Sequence, residues 1–370
     1  MDLAESYAGR SVFVTGHTGF KGAWIAEWLR TLDASVTGYS LAPPTEPSLF
    51  EALGLGSRVR HVVADVRDRE GLGAAVLEAQ PSVIFHLAAQ AVVRQGYVEP
   101  RQTFETNVMG TVNVLEAARA CSSVRAVVIV TSDKCYENHD TDEAFRETDA
   151  MGGRDPYSAS KGAAELVTAA YRASFFSDGA AIASARAGNV IGGGDWAEDR
   201  IIPDAARAVS AGNTLVVRNP DATRPWQHVL EPLSGYLWLG ARLLRDGQQY
   251  AGAWNFGPAS QSGDRSVRWV VEDFLAEWGA GSWSVAEDPS GQPHEAHRLG
   301  LDSSKAREQL GWAPVWDAPT AVARTAAWYR EYYRVPSAAR DLVEDELRTY
   351  QRDAREAGLA WAVPQQGAPT

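Results

Sequence analysis

The chain has 370 residues, 45% of them hydrophobic, which excludes disorder as its main character and fits two domains or one large lobe carrying a smaller one at about 150 residues per domain. Thirty-five Lys and Arg stand against 47 Asp and Glu, a formal net charge of −12 with no basic cluster, so a nucleic-acid partner is not expected. Two cysteines, Cys121 and Cys135, make neither a disulfide framework nor a zinc-ligand spacing, and no metal is expected. The polar start, Met1 to Arg10, does not resemble a secretory signal, and no apolar run of about 18 residues follows. The expectation is a soluble cytoplasmic protein without a membrane partner.

In chain order, β-branched runs at Ser11–Thr15, Ala34–Tyr39, Val59–Ala64, Ser82–His86, Val124–Thr131 and Ala181–Ala185 predict strands. Helical periodicity falls between them, at Lys21–Leu32 (Trp24, Ile25, Trp28, Leu29, Leu32), Val108–Ala120 and Ala159–Phe175. Val- and Ile-rich strands alternating with helices predict an α/β class, a doubly wound parallel sheet of the Rossmann type over residues 1–187. Trp226–Val229 and Ala253–Gly257 read as strands that return to it. Residues 188–335, with Gly192-Gly193-Gly194 and scattered tryptophans, predict a smaller, loop-rich substrate lobe. From about Pro336 the chain reads as a charged helical tail, 336–370, with a Pro/Gln/Gly terminus read as unstructured. The 13 Trp are first a matter of core volume, and for Trp196 and Trp226 covering a base or sugar stands equal with core packing.

The first strand runs into Gly16-His17-Thr18-Gly19-Phe20-Lys21-Gly22, glycines at a spacing that lets backbone approach a pyrophosphate at a helix N-terminus. This turn is read as a dinucleotide site. The second strand ends at Ser40 without an acidic residue for the adenosine ribose, so NAD and NADP stay undistinguished there. His17 and Lys21 are candidates for a 2′-phosphate, with a solvent-facing Lys21 on the first helical turn as the alternative. Asp65, before Val66, is an adenine contact or a turn cap.

Tyr157 and Lys161 stand four apart on one helix face, where an ammonium and a cationic nicotinamide would favour phenolate and make Tyr157 a proton acceptor. The fifth strand ends in Thr131-Ser132-Asp133-Lys134-Cys135-Tyr136, polar side chains at a carboxyl end that opens onto a ligand crevice.

With the glycine turn, the strand-end serine and Tyr-x-x-x-Lys together, residues 10–330 resemble the extended short-chain dehydrogenase/reductases. His86-Leu87-Ala88-Ala89-Gln90, Thr106-Asn107 and Arg186-Ala187-Gly188-Asn189-Val190 match further segments of that family. Ser132-Asp133-Lys134 resembles the Ser/Thr-Asp-Glu triplet of its nucleotide-sugar 4,6-dehydratases, with Lys in place of Glu. Gly16 to Gly22, Tyr39 to Thr45 and Thr131 to Asn138 resemble the subgroup acting on CDP-glucose, which carries Lys there. The resemblance implies NAD as cofactor, held by Gly16 to Gly22, Ser40, Asp65, Val66, Leu87, Ala88, Ala89, Asn107, Tyr157 and Lys161. It implies oxidation at C4, loss of water across C5 and C6, and return of hydride to C6, with Tyr157 as base, Ser132 holding the hydroxyl and Asp133 as acid. Lys134 takes the base position at C5 or an electrostatic role.

Gln90, Asn189, Arg200, Arg224 and Arg298 are the implied substrate contacts, with surface ion pairing the alternative for Arg224 and Arg298. A homodimer through Val108–Ala120 and Ala159–Phe175 is the family expectation. Two further readings remain, a 4-epimerase or reductase on the same Tyr157 and Lys161, and a dinucleotide-binding sensor, which would have no use for a base.

Overall fold

The computed structural model of the chain describes residues 2–139, 143–258, 264–286 and 299–363. Its frame is one parallel sheet of seven strands: β1 (Ser11–Thr15), β2 (Ser35–Ser40), β3 (Arg60–Val63), β4 (Val83–His86), β5 (Ala126–Val130), β6 (Ala181–Ala187) and β7 (Gly252–Phe256). The order is β7-β6-β5-β4-β1-β2-β3. Every pairing is parallel, with Val12 opposite Val36 on one side and Val83 on the other, and Ala183 opposite Gly252 at the far edge.

Side-chain alternation along each strand feeds two cores. Val12, Val14, Val83, Phe85, Ala126 and Val128 face one side, where helix α1 (Phe20–Thr31) supplies Trp24, Ile25, Trp28 and Leu29. Phe13, Ile84, Val127, Ile129 and Ile182 face the other, against Leu72 and Val76 of α2 (Arg69–Ala79) and Val114 and Leu115 of α3 (Gly110–Ala120). Val167 and Tyr171 of α4 (Pro156–Phe175) pack on that second side as well. The strand order reverses between β1 and β4, and crevices open at such reversals beyond the carboxyl ends of the strands. Thr15 and His86, opposite one another in register, mark that point, with Thr15 Oγ1 2.7 Å from His86 Nδ1.

The two predicted returning strands part ways. Gly252–Phe256 joins the sheet beside β6, whereas Gln227–His228 pairs with Val190–Ile191. The second is too short to reach the sheet, because the chain turns at Val229, whose N–H is taken by Ile191 O at 2.8 Å, into helix α5 (Leu230–Asp246). The glycine triplet has a packing cause: a methyl on Gly193 would lie 1.9 Å from the ring of Trp328, carried by α6 (Ala318–Arg334).

The charged tail is welded to this body. Helix α7 (Ala339–Glu356) buries Val343, Leu347, Tyr350 and Ala354, a one-face stripe, and Tyr350 and Trp361 both meet Trp28 edge-on. Pro364 to Thr370 lie outside the described residues.

Candidate active site

At the carboxyl end of β5 the chain passes through Thr131 and Ser132 into a single turn, Asp133–Cys135. Ser132 Oγ donates to Asp133 Oδ1 at 2.9 Å and accepts the Lys134 N–H at 3.2 Å. Asp133 is 2% exposed and its Oδ2 is a buried oxygen without a hydrogen-bond partner. Burial pushes its carboxyl pKa up, against the pull of Lys134, the Ser132 hydrogen bond, Arg224 and Lys21. A methyl on Gly188 would lie 2.9 Å from that Oδ2, so only glycine leaves room beside it.

Facing this turn is α4, which Asp155 caps by accepting the Ser158 N–H at 3.0 Å and Pro156 opens. Tyr157 and Lys161 share the face turned toward β5, and Lys161 Nζ donates to Val130 O at 3.3 Å. Burial pushes the Tyr157 phenol up to about 12, with the Ser132 hydrogen bond and Arg200 pulling down and Asp133 and Asp155 pushing up. Burial lowers Lys161 to about 8, against the raising effect of Cys135 and Glu165. Burial thus favours the protonated phenol, and the phenolate expected of this pair depends on the nicotinamide charge as well as on Lys161.

On the cofactor side, Gly16 has φ +76° and donates to Tyr39 O at 3.0 Å, and a methyl there would lie 2.6 Å from Ala88 N. A methyl on Gly22 would lie 1.9 Å from Gly16 O, so the turn and the helix touch through backbone alone. Gly19 opens α1 with no side-chain cap, whereas carboxylates of Asp68, Asp155 and Asp317 cap α2, α4 and α6. Thr18 ties the turn to the end of β2, its hydroxyl 2.8 Å from Ser40 Oγ and donating to Leu41 O. Phe20 packs on the first core, and Leu87 and Ala88 hang from Thr15 by their N–H groups, with Ala89 next in the same strand-end loop. Val66 is buried, and its carbonyl accepts from Asn113. Asp65 accepts from Arg67, whose guanidinium holds the carboxyl below its usual range.

Two cofactor expectations need correcting. His17 is fully buried, 2.7 Å from His61 Nδ1 and edge-on to Phe50, and burial drops it to about 3, so it is neutral and carries no charge for a 2′-phosphate. Lys21 is half-buried and does not stand free on the surface. Its ammonium turns into the crevice among Arg200, Asp133, Lys161 and Asp195, where burial lowers it to about 8, and Nζ lies 5.9 Å from the centroid of the Tyr236 ring.

Among the substrate candidates, Arg200 meets Asp195 Oδ2 at 2.9 Å and its charge reaches Tyr157. Arg224 is 5% exposed, and its charge reaches Asp133, which puts it in the crevice and not on the surface. Asn189 is half-buried directly after Gly188. Gln90 turns inward: its amide donates to Thr103 Oγ1 and accepts the Val92 N–H. Asn107 is likewise spent on the protein, exchanging bonds with the Gln90 backbone and donating to Ser160 Oγ on α4 at 2.8 Å. Arg298 lies outside the described residues. Trp196 and Trp226 are both 4% exposed, Trp196 against Trp328, Tyr329 and Tyr332 and Trp226 donating to Arg265 O, so core packing is what they do.

A family model described as GDP-mannose 4,6 dehydratase matches residues 13–325. The chain belongs to this family. A CDP-glucose 4,6-dehydratase of Salmonella typhimurium is 47% identical over 335 residues, covering 89% of this chain and 92% of that protein. Among solved structures, a dTDP-glucose 4,6-dehydratase of Streptomyces venezuelae with NAD bound superposes with a TM-score of 0.73 at 24% identity, over 88% of this chain and 99% of that one. A UDP-glucose 4-epimerase of Thermus thermophilus in complex with NAD gives a TM-score of 0.72 at 25% identity, over 86% and 98%.

This dehydratase-family site also contains residues that sequence reasoning passed over. Asp195 fixes Arg200, and Glu165 joins Thr131 to Arg186 behind the Asp133–Cys135 turn. Glu165 had a signal, since it repeats the four-residue step from Tyr157 to Lys161 one turn further on.

Proposed function

We propose that the enzyme binds NAD and converts CDP-glucose to the 4-keto-6-deoxy sugar nucleotide, a dehydration without net redox change. The observation that carries this reading is Asp133, a buried carboxyl with a raised pKa and one unpartnered oxygen, held by Ser132 in the crevice that Tyr157 also faces. Such a group is built to keep a proton and to give it to a leaving hydroxyl. An epimerase needs no acid at C6. The identity to the Salmonella enzyme supports CDP-glucose as the substrate.

The glycine turn fits a dinucleotide, because the uncapped start of α1 at Gly19 presents helix N–H groups to a pyrophosphate and the methyl-free Gly16 and Gly22 keep the backbone flat beneath it. Held in this turn, NAD would supply an acceptor for the C4 hydride and, once reduced, its donor to C6, and the nicotinamide charge would favour tyrosinate. Tyr157 takes the C4 hydroxyl proton while Ser132 holds that hydroxyl, and Arg200 and Lys161 favour the phenolate that forms. The C4 ketone acidifies the C5 hydrogen, which a base on the Lys134 side removes as Asp133 gives its proton to the departing C6 hydroxyl, and after hydride reaches C6 a proton returns to C5. Lys134 serves the C5 side. K134R separates its two roles: retained turnover assigns an electrostatic role, and loss assigns the base. Arg200, Arg224 and Asn189 would hold the diphosphate, with Arg298 a further phosphate contact.

Exposed apolar side chains on the sheet's outer helices, Met109 beside α3 and Leu166 and Phe175 on α4, at 50%, 62% and 52% exposure, support a homodimer through these helices. Free, buried Cys121 and Cys135 suit a cytoplasmic setting, and no helix among the described residues is long and apolar enough to cross a membrane.

The test is incubation of the purified enzyme and NAD with CDP-, dTDP-, GDP- and UDP-glucose, read by mass spectrometry and proton NMR. The expected result is a product lighter by one water, with a new C6 methyl doublet, from CDP-glucose and no build-up of reduced cofactor. A C4 epimer or net cofactor reduction without loss of water would overturn the reading.

A further inference from the structure

Behind the catalytic turn lies a chain of buried polar groups that the reaction does not consume. Glu165, 4% exposed, sits on α4 two turns beyond Tyr157 and one beyond Lys161, on the same face. Its Oε1 accepts from Thr131 Oγ1 at 2.5 Å, and its Oε2 accepts from Ser184 Oγ at 2.6 Å and Arg186 Nη2 at 2.7 Å. Arg186 Nη1 donates to Tyr136 Oη at 2.7 Å, and that hydroxyl donates to Asn255 Oδ1 at 2.7 Å. Arg186 also lies over the Tyr136 ring, 4.9 Å from its centroid.

Thr131 immediately precedes Ser132, and Tyr136 immediately follows Cys135. One carboxylate therefore reaches both ends of the turn that carries Ser132, Asp133 and Lys134, one end directly and the other through Arg186. Meanwhile its own helix carries Tyr157 and Lys161. A buried ion pair is a poor source of net stability compared with apolar residues of similar volume, so its use here calls for another reason. Directional, fully desolvated bonds supply one, because they define a distance that apolar packing leaves loose.

We propose that Glu165 is a positioning residue that sets the register between the two halves of the reaction, Tyr157 and Lys161 on α4 at C4 and, on the turn, Asp133 and Lys134 at C5 and C6, with Ser132 the point where the turn meets the C4 hydroxyl. This inference rests on the dehydration reading, in which the two halves must act on adjacent carbons of one bound sugar. Loosening the register then harms elimination more than oxidation, since Tyr157 and Lys161 stay on their helix at C4 and only the Ser132 contact there loosens, whereas both groups at C5 and C6, Asp133 and Lys134, move with the turn.

The experiment uses T131V, which removes one donor and leaves the Glu165–Arg186 pair, with T131S to restore the hydroxyl and E165Q to remove the charge. Two measurements are made. The first is hydrogen exchange of the amides from Ser132 to Tyr136 in the substrate-free protein, alongside thermal unfolding. The second is a single turnover that times the appearance of reduced cofactor against the loss of water.

In T131V the turn amides are expected to exchange faster, with dehydration slowed roughly 10- to 100-fold and oxidation changed about threefold or less, so that reduced cofactor accumulates transiently. T131S should restore both, and E165Q should exceed T131V. Should E165Q fail to fold, T131V and T131S carry the test. Unchanged exchange in T131V, or oxidation and dehydration slowed equally, would overturn the proposal. If the wild type removed no water from CDP-glucose, the reading of the reaction would fall, and exchange would still decide whether Glu165 holds the turn.

Discussion

Glu231 offers a stability prediction with a calculable size. It is fully buried at the start of α5, its Oε1 accepting the Trp316 N–H at 2.8 Å and its Oε2 accepting the Val315 N–H at 2.9 Å and the Tyr350 hydroxyl at 2.8 Å. Burial outweighs these three bonds and raises its pKa from an ordinary 4.5 to about 7. The folded state therefore binds this proton more tightly than the unfolded chain does. Its stabilising contribution is complete below the unfolded value and is lost as the pH rises through the folded one. A difference of this size amounts to roughly 3 kcal/mol between acid and alkaline pH. In E231Q that slope is absent, while an amide N–H turned on the Val315, Trp316 or Tyr350 donors leaves the variant about 1–3 kcal/mol below the wild type with Glu231 protonated. The variant should be clearly less stable than wild type at pH ~5 and close to it at pH ~8. Urea unfolding of both proteins across that range measures the gap. Glu346, also raised to about 7 by burial, tilts both curves alike, so the difference between them isolates Glu231. A gap that does not narrow with pH would refute the assignment of the proton to Glu231.

Two substitutions probe the site itself. D133N preserves the shape of the side chain but removes the transferable proton, and should slow loss of water roughly 100- to 10,000-fold in single turnovers while reduced cofactor still forms. Equal slowing of both steps would assign Asp133 to C4 chemistry instead. G22A places a methyl 1.9 Å from Gly16 O, a backbone contact that must shift, and should weaken NAD binding in calorimetry about tenfold or more and lower stability by about 1–3 kcal/mol. Unchanged affinity would mean that the turn's close backbone contact does not matter to the dinucleotide.

What could be read from the sequence follows from the range of the interaction involved. Strands β1 to β6 and helices α1, α3 and α4 announce themselves through local periodicity, because each buries a face whose spacing is set by its own backbone geometry. Tyr157 and Lys161 were readable for the same reason, one helical turn apart. Lys21 was not: its position on the first turn of α1 is local, but its direction depends on Asp133 and Asp195, more than a hundred residues away. His17 was misread because a glycine turn advertises a phosphate, while the histidine's fate is decided by His61 on β3 and Phe50 on the short helix Leu49–Ala52.

The tail shows the same rule from the other side. Val343, Leu347, Tyr350 and Ala354 form a helical stripe that composition hides among charges, and only Trp28, Trp316 and Glu231 reveal what that stripe is for. Glu165 lies between the two cases. Its spacing was local and visible, whereas its partners Thr131, Ser184 and Arg186 come from two strands that only the folded sheet sets side by side. A residue of that kind is where periodic reading and chemical reading should be joined. A third polar residue continuing a catalytic helix stripe into the core has no solvent to satisfy it, so it must be answered from the adjacent strands, and those strands carry the rest of the site.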